Sequence, residues 1–174
     1  MIRRLALTLS MGPALVLAGI GAAQAQESYP QPQTAKPPGC PQTGFLVQGT
    51  GGNDTRNGSA LSDVINGLAG DDILSGRGGA DCLYGGDGND RLNGGARNDA
   101  LFGGAGNDRA TGSTGNDRIS GGSGTDRVSA GSGNDRIAVR DDVRDTVNCG
   151  SGRDRVTADR KDRVATNCER VTRK

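Results

Sequence analysis

Ten aspartates recur at one constant interval of nine residues: Asp54, Asp63, Asp72, Asp81, Asp90, Asp99, Asp108, Asp117, Asp126 and Asp135. Glycines fill the stretch before each Asp. A large aliphatic residue follows most of them by two places: Ile65, Leu74, Leu83, Leu92, Leu101, Ile119, Val128 and Ile137. Carboxylates in flexible glycine-rich loops, with backbone carbonyls around them, are ligands for a hard divalent cation of the calcium type rather than for zinc or copper. Catalysis is a poorer reading. The 174-residue chain has no His, which removes His-based triads and H-E-x-x-H zinc chemistry. A glycosidase-like carboxylate pair is formally available. Cation binding already accounts for the regular spacing, so the expectation is a protein that is not an enzyme.

The repeat itself must position these aspartates. In the unit Gly85-Gly86-Asp87-Gly88-Asn89-Asp90-Arg91-Leu92-Asn93, glycines permit positive φ and close backbone approach, so the first six residues are expected to make a tight turn. The last three alternate polar, apolar, polar, which predicts one short strand with Leu92 pointing inward. A turn and a three-residue strand cannot close on themselves. Two units must make one coil, with successive turns on opposite edges. Stacked coils then give two parallel sheets facing each other across an aliphatic core. With two Phe, two Tyr and no Trp, that core is thin, and a row of Asp along each edge repels itself. A cation held in the turns answers both problems.

The consensus G-G-x-G-x-D-x-U-x, where U is a large aliphatic, resembles the calcium-binding nonapeptide repeat of the RTX family. The likeness is close over residues 49–138 and degraded over 139–171. It implies an all-β chain folded as a right-handed parallel β-roll, a β-solenoid with two repeats per coil. It also implies several Ca²⁺ ions between stacked turns two repeats apart. The metal ligands it implies are the carboxylates of Asp54, Asp72, Asp81, Asp90, Asp99, Asp108, Asp117, Asp126 and Asp135. Turn residues complete them: Gly85, Gly86 and Gly88, Gly103, Gly104 and Gly106, and Gly121, Gly122 and Gly124. Relatives that are enzymes carry a separate catalytic domain, and no such domain is visible in this chain.

The two edges differ. One holds Asp54, Asp72, Asp90, Asp108 and Asp126, and its fourth repeat position is always glycine (Gly52, Gly70, Gly88, Gly106, Gly124). The other holds Asp63, Asp81, Asp99, Asp117 and Asp135, and there the same position reads Leu61, Gly79, Arg97, Gly115, Gly133. A side chain is penalised where φ must be positive. The first edge is therefore expected to carry the better sites, with Asp90 and Asp108 mattering more than Asp63 and Asp99.

Arginine recurs one place after Asp: Arg91, Arg109, Arg118, Arg127, Arg136, Arg155, Arg163 and Arg170. Alternation with the inward aliphatic turns it to solvent, as a ladder that offsets Asp charge and discourages edge pairing. The sharper reading is a stripe for a polyanion, such as surface polysaccharide or lipid phosphate. Nucleic acid is a poor partner, since the chain has almost no aromatics for stacking.

The N-terminus reads as a secretory signal over residues 1–25: Arg3 and Arg4, an apolar run from Leu5 to Ile20, then the cleavage site Ala23-Gln24-Ala25. Gly12, Pro13, Gly19 and Gly21 interrupt a run already short for a membrane span. Residues 26–48, with Pro30, Pro32, Pro37, Pro38 and Pro41, read as an extended linker and N-terminal cap. Export implies oxidised cysteines. Cys40, Cys82, Cys149 and Cys168 allow three pairings. Cys149–Cys168 is favoured, because nineteen residues is close to two repeats. That leaves Cys40–Cys82, whose rungs in a regular coil lie about 9–10 Å apart, so the segment after the linker must fold back. Zinc is disfavoured by the lack of a C-x-x-C pair.

After Ile137 the interval slips. Asp145, Asp154, Asp162 and Glu169 follow at ten, nine, eight and seven residues, each with Val147, Val156, Val164 or Val171 two places on. Residues 139–174 therefore read as degenerate coils, short of turn glycines and of calcium sites, forming a disulfide-stapled cap. The expected protein is a secreted, extracellular monomer that binds calcium and folds with it. The alternative is an extracellular adhesin or polysaccharide-binding module in which calcium is only structural.

Overall fold

The computed structural model describes Cys40 and residues 45–174. The expected signal and most of the Pro-rich stretch, residues 1–39 and 41–44, lie outside the described residues. Every described element is a strand. One sheet stacks β1 (Leu46–Gln48), β3 (Val64–Ala69), β5 (Cys82–Asp87), β7 (Ala100–Ala105), β9 (Arg118–Ser123), β11 (Arg136–Val139), β13 (Arg155–Ala158) and β15 (Arg170–Arg173). The other stacks β2 (Thr55–Asn57), β4 (Ile73–Gly78), β6 (Arg91–Ala96), β8 (Arg109–Thr114), β10 (Arg127–Ser132), β12 (Thr146–Ser151) and β14 (Arg163–Val164). All pairings are parallel and alternate strands belong to opposite sheets, so two repeats make one coil of a parallel β-roll.

The register repeats every eighteen residues: Leu83 lies beside Leu101 and Leu101 beside Ile119. This places the aliphatic of each repeat in one internal column. Ile65, Leu74, Leu83, Leu92, Leu101, Ile119, Val128 and Ile137 are all buried, as are Val147 and Val156 beyond them. Ala110 takes the column position where the aliphatic pattern lapses.

The strands differ from expectation in length. Most run six residues, through the first three positions of the following repeat, so the turn proper shrinks to Gly88-Asn89-Asp90 and its equivalents. Glycines there do not stop the ladder: Gly86 pairs with Gly104, and Gly104 with Gly122. The first repeat position thereby becomes a second inward position. Gly85, Gly94 and Gly103 occupy it in the regular coils, and Ala130, Val139, Cys149 and Ala158 in the last ones.

The slipped interval does not break either sheet. Val128 pairs with Val147, and Ile137 with Val156, at a spacing of nineteen. The extra residue sits in the turn before Asp145, where Asp142 takes a φ of 65°. There Asp141 accepts hydrogen bonds from Gly124 N at 2.7 Å and Val143 N at 2.8 Å.

The fifth repeat position builds a ladder on the outside of the turns. Asn89 Oδ1 accepts from Asn107 N at 2.9 Å, and Asn116 Oδ1 accepts from Asn134 N at 2.7 Å. Each side-chain oxygen thus satisfies a turn N–H one coil further on, which an exposed tight turn otherwise leaves to water.

Both disulfides of the favoured pairing are formed. Cys149 lies in the aliphatic core and bridges to Cys168 across a Cα separation of 5.2 Å. Cys40 bridges to Cys82 at 5.7 Å. The rung objection to that second bridge does not apply, because Cys40 is not on a rung. It packs on the outer face of the eight-stranded sheet, in a small apolar cluster with Cys82, Ala100, Val64, Tyr84 and Phe102. Tyr84 and Phe102 stack there with centroids 4.9 Å apart.

Positive φ recurs at the fourth position from Gly70 onward: Gly88 stands at 135°, Gly106 at 128°, and Arg97 is forced to 80°, whereas Leu61 in the second turn escapes it. A β-carbon on Gly106 meets Gly88 O at 2.0 Å. Arg97→Gly should accordingly raise stability by about 1 kcal/mol by removing left-handed strain. Gly106→Val should lower the thermal midpoint sharply. Melting both variants beside the parent checks this, and an unchanged or lower midpoint for Arg97→Gly contradicts it.

Candidate metal centres

The aspartates do not point to solvent. Asp63, Asp72, Asp81, Asp90, Asp99, Asp108, Asp117, Asp126, Asp135, Asp145 and Asp154 are each at most 3% exposed. One carboxylate oxygen of each is used structurally. Asp72 N donates to Asp90 Oδ1 at 2.8 Å, Asp90 N to Asp108 Oδ1 at 2.8 Å, and Asp108 N to Asp126 Oδ1 at 2.9 Å. The second edge repeats this from Asp63 through Asp81, Asp99, Asp117 and Asp135 to Asp154. Each carboxylate therefore ties its own turn to the turn one coil before it.

The other oxygen has no such use. Oδ2 of Asp72, Asp81, Asp90, Asp99, Asp108, Asp117, Asp126, Asp135, Asp145 and Asp154 is buried with no hydrogen-bond partner. An unsatisfied buried carboxylate oxygen is costly, and the cost is relieved by protonation or by a cation. From Asp72 to Asp126, glycine at the first position makes room for it. A β-carbon on Gly85 meets Asp90 Oδ2 at 2.2 Å and Gly103 O at 2.4 Å; one on Gly103 meets Asp108 Oδ2 at 2.3 Å and Gly121 O at 2.2 Å. A carboxylate oxygen and a carbonyl oxygen of the next coil thus converge on one small space. At the second and fourth positions, Gly86 O and Gly88 O face Gly104 and Gly106 of the next turn at similarly close range. Gly122 and Gly124 repeat the arrangement against Gly104 and Gly106.

No group of three or more carboxylate, thiol or imidazole side chains gathers among the described residues. Carboxylates alone do not make a site here, so a bound cation must take backbone carbonyls as its remaining ligands. An all-oxygen donor set of that kind fits Ca²⁺ and is foreign to zinc or copper.

Electrostatics agree. Burial, partly offset by the backbone hydrogen bond, pushes the carboxyls of Asp81, Asp90 and Asp117 up to about 6 and those of Asp99, Asp108 and Asp145 up to about 7. The neighbouring Asp117 and Asp81 charges raise Asp99 further, and Asp126 and Asp90 do the same to Asp108.

The first two turns depart from this scheme. Asp54 Oδ2 accepts from Thr50 N at 2.6 Å and Thr50 Oγ1 at 2.9 Å, and Asp54 also pairs with Arg56 at 2.9 Å. The Thr50 hydrogen bonds hold its carboxyl below the usual range. Asp63 Oδ2 is likewise met by Ser59 N at 2.7 Å and Ser59 Oγ at 2.9 Å. A hydroxyl at the second position therefore occupies the oxygen left free in later turns. At the other end the ladder does not stop at residue 138. Asp145 and Asp154 carry the same free Oδ2, and Asp162 and Glu169 supply its last acceptors. The valines two places after them were the sequence signal for this continuation. Backbone strain falls mainly on the second edge, at Arg77, Arg97 and Ser113, against Leu68 alone in the regular turns of the first.

The pKa shifts fix a pH dependence for the calcium-free protein. Folding raises these carboxyls above their ordinary value near 3.8. Their contribution to stability is thus fully present below that value and is lost as pH rises through about 6 to 7. In chelator, the thermal midpoint should fall as pH rises from about 5 to about 8. A midpoint that is flat or rising over that window contradicts the assignment of the ladder as buried and uncompensated.

Models of the RTX calcium-binding nonapeptide repeat match the chain in four copies, at residues 48–83, 57–92, 84–110 and 102–137. Together they span residues 48–137, just over half of the chain. No curated protein matches it. Repeat spacing, the parallel roll and the carboxylate ladder coincide over this same span, and the chain belongs to the RTX calcium-binding nonapeptide repeat family.

Proposed function

We propose that this is a secreted, non-catalytic protein that binds several Ca²⁺ ions along both edges of the roll and completes its folding when it does. One observation carries the reading: the row of buried Asp Oδ2 atoms without partners, which at Asp72, Asp81, Asp90, Asp108 and Asp117 share their space with a backbone carbonyl of the adjoining coil. Calcium bound there removes the cost of burying the carboxylates, so binding energy becomes folding energy. Asp72, Asp81, Asp90, Asp99, Asp108, Asp117, Asp126 and Asp135 are the proposed side-chain ligands, with Asp145 and Asp154 added. Asp54 and Asp63 are the weakest candidates because hydroxyls already satisfy them. Two disulfides support export to an oxidising compartment. No helix of the described residues is long and apolar enough to cross a membrane. The lack of His and the commitment of the carboxylates to the ladder support a role without catalysis.

Calorimetric titration with Ca²⁺ tests this, with Mg²⁺ as control. Asp90→Asn and Asp108→Asn keep an acceptor for the preceding turn but lose the charge, so each should lower the number of ions bound. Asp54→Asn should leave that number unchanged. At a hundredfold excess over Kd, each site should add about 2.7 kcal/mol to stability. Equal losses in all three variants, or no calcium uptake by the parent, refute the site assignment.

A further inference from the structure

Burial of the aspartates separates the charges of this chain. Over residues 45–174, thirteen Asp side chains are buried, and six carboxylates remain outside: Asp54, Asp71, Asp87, Asp141, Asp142 and Glu169. All eighteen Lys and Arg side chains of the same span lie on the surface, seventeen of them exposed and Arg56 in part. A near-neutral sequence thus presents a strongly cationic exterior.

Both sheets carry stacked arginines: three in succession, Arg91, Arg109 and Arg127, on the seven-stranded sheet, and four on the eight-stranded one. The register stacks Arg118 on Arg136, Arg136 on Arg155 and Arg155 on Arg170 along the outside of the eight-stranded sheet. Consecutive rungs lie about 4.8 Å apart, and like charges directly opposite each other are unfavourable. No carboxylate of the described residues lies within 4.0 Å of these guanidinium groups; the one ion pair among those residues is Arg56 with Asp54. Arg153, on the adjoining turn, joins Arg136, Arg155 and Arg170 around a cavity of about 520 Å³ that also touches Asp135 and Glu169. Both acids are already engaged by backbone: Asp135 Oδ1 accepts from Asp117 N at 2.7 Å, and Glu169 Oε2 from Asp154 N at 2.8 Å. Beside the arginines runs a lane of small side chains, Ser120, Ala138, Thr157 and Thr172.

We propose that this half of the eight-stranded sheet, from Arg118 to Arg170, is a docking surface for a linear acidic polysaccharide. Forked guanidinium donors match sulfate or carboxylate groups. A straight row of rungs matches a chain whose pyranose rings recur at close to one rung each, and the small hydroxyl-bearing lane leaves room for the sugar. Phe102 flanks the stack only at its Arg118 end, and no aromatic ring lies on the strands of Arg136, Arg155 and Arg170 for base stacking. Of the exposed large apolar residues, Phe45, Leu46, Leu61 and Ile73 sit on the first coils, Val143 in the turn before Asp145, and Val171 in the inward column of the last strand, so the outer face of the stack lacks the insertion residues of a membrane surface. The other half of the same sheet is covered by the Cys40 cluster. The inference needs a folded roll but does not depend on which turns hold calcium.

The test is calorimetric titration of the calcium-saturated protein with chondroitin sulfate, with neutral dextran, duplex DNA and phosphatidylserine vesicles as comparisons. The triple variant Arg136→Ser, Arg155→Ser, Arg170→Ser should bind chondroitin sulfate about tenfold more weakly or worse. The matched triple on the opposite sheet, Arg91→Ser, Arg109→Ser, Arg127→Ser, removes the same charge and should lose no more than about threefold. Circular dichroism verifies that both remain folded. Should the first triple unfold, Arg136→Lys, Arg155→Lys, Arg170→Lys replaces it and should still weaken binding, by removing the guanidinium fork. Equal losses from the two faces overturn the proposal, as does absent chondroitin sulfate binding, or tighter binding of DNA or vesicles.

Discussion

A carboxylate can be buried only if something balances it, and here the balance is incomplete by design of the repeat. From Asp72 to Asp126, each Asp gives one oxygen to the N–H of the preceding turn and keeps the other in a space made by the absence of a β-carbon at the first repeat position. That single constraint explains why the repeat looks as it does. Glycine precedes Asp by five places because the carboxylate lies over it. Glycines at the second and fourth positions are needed because neighbouring carbonyls come within about 2 Å of where a side chain would begin. The aliphatic two places after Asp fills the interior that remains.

The same burial governs the surface. Acidic groups turn inward and arginines outward, so the charge felt by a partner is not the sum over the sequence. Surface arginines do not neutralise the buried ladder, since the one ion pair among the described residues joins Arg56 to the partly exposed Asp54 at its first turn. Compensation for the ladder has to come from inside the turns, by proton or by metal. The N-terminal turns show a third solution, a Thr or Ser hydroxyl in place of either.

Much of this was legible before any coordinates. The period of nine, doubled, is a covalent property of the chain, and it fixes coil length, register and the internal aliphatic column together. The penalty at Arg97 was readable for the same reason. Strand length was not, because pairing through Gly85-Gly86 is a backbone event that leaves no side-chain mark. The continuation of the ladder through Asp145 and Asp154 was obscured by an inserted residue, which the turn near Asp142 absorbs without shifting the register. Cys40–Cys82 looked strained only while both residues were placed on rungs; one of them lies on the outer face. The external Asn ladder was present in the sequence as a frequent Asn before Asp, but its use depends on which turn stacks on which.

Far-UV circular dichroism of residues 26–174 during a calcium titration, with magnesium in parallel, reaches the central claim most directly. If the buried carboxylates require a cation, the chelated protein at neutral pH is largely unstructured and gains β-structure cooperatively with Ca²⁺ but not with Mg²⁺. A spectrum already rich in β-structure in chelator, and unmoved by calcium, contradicts the account and leaves the roll to its hydrogen-bond ladders and disulfides.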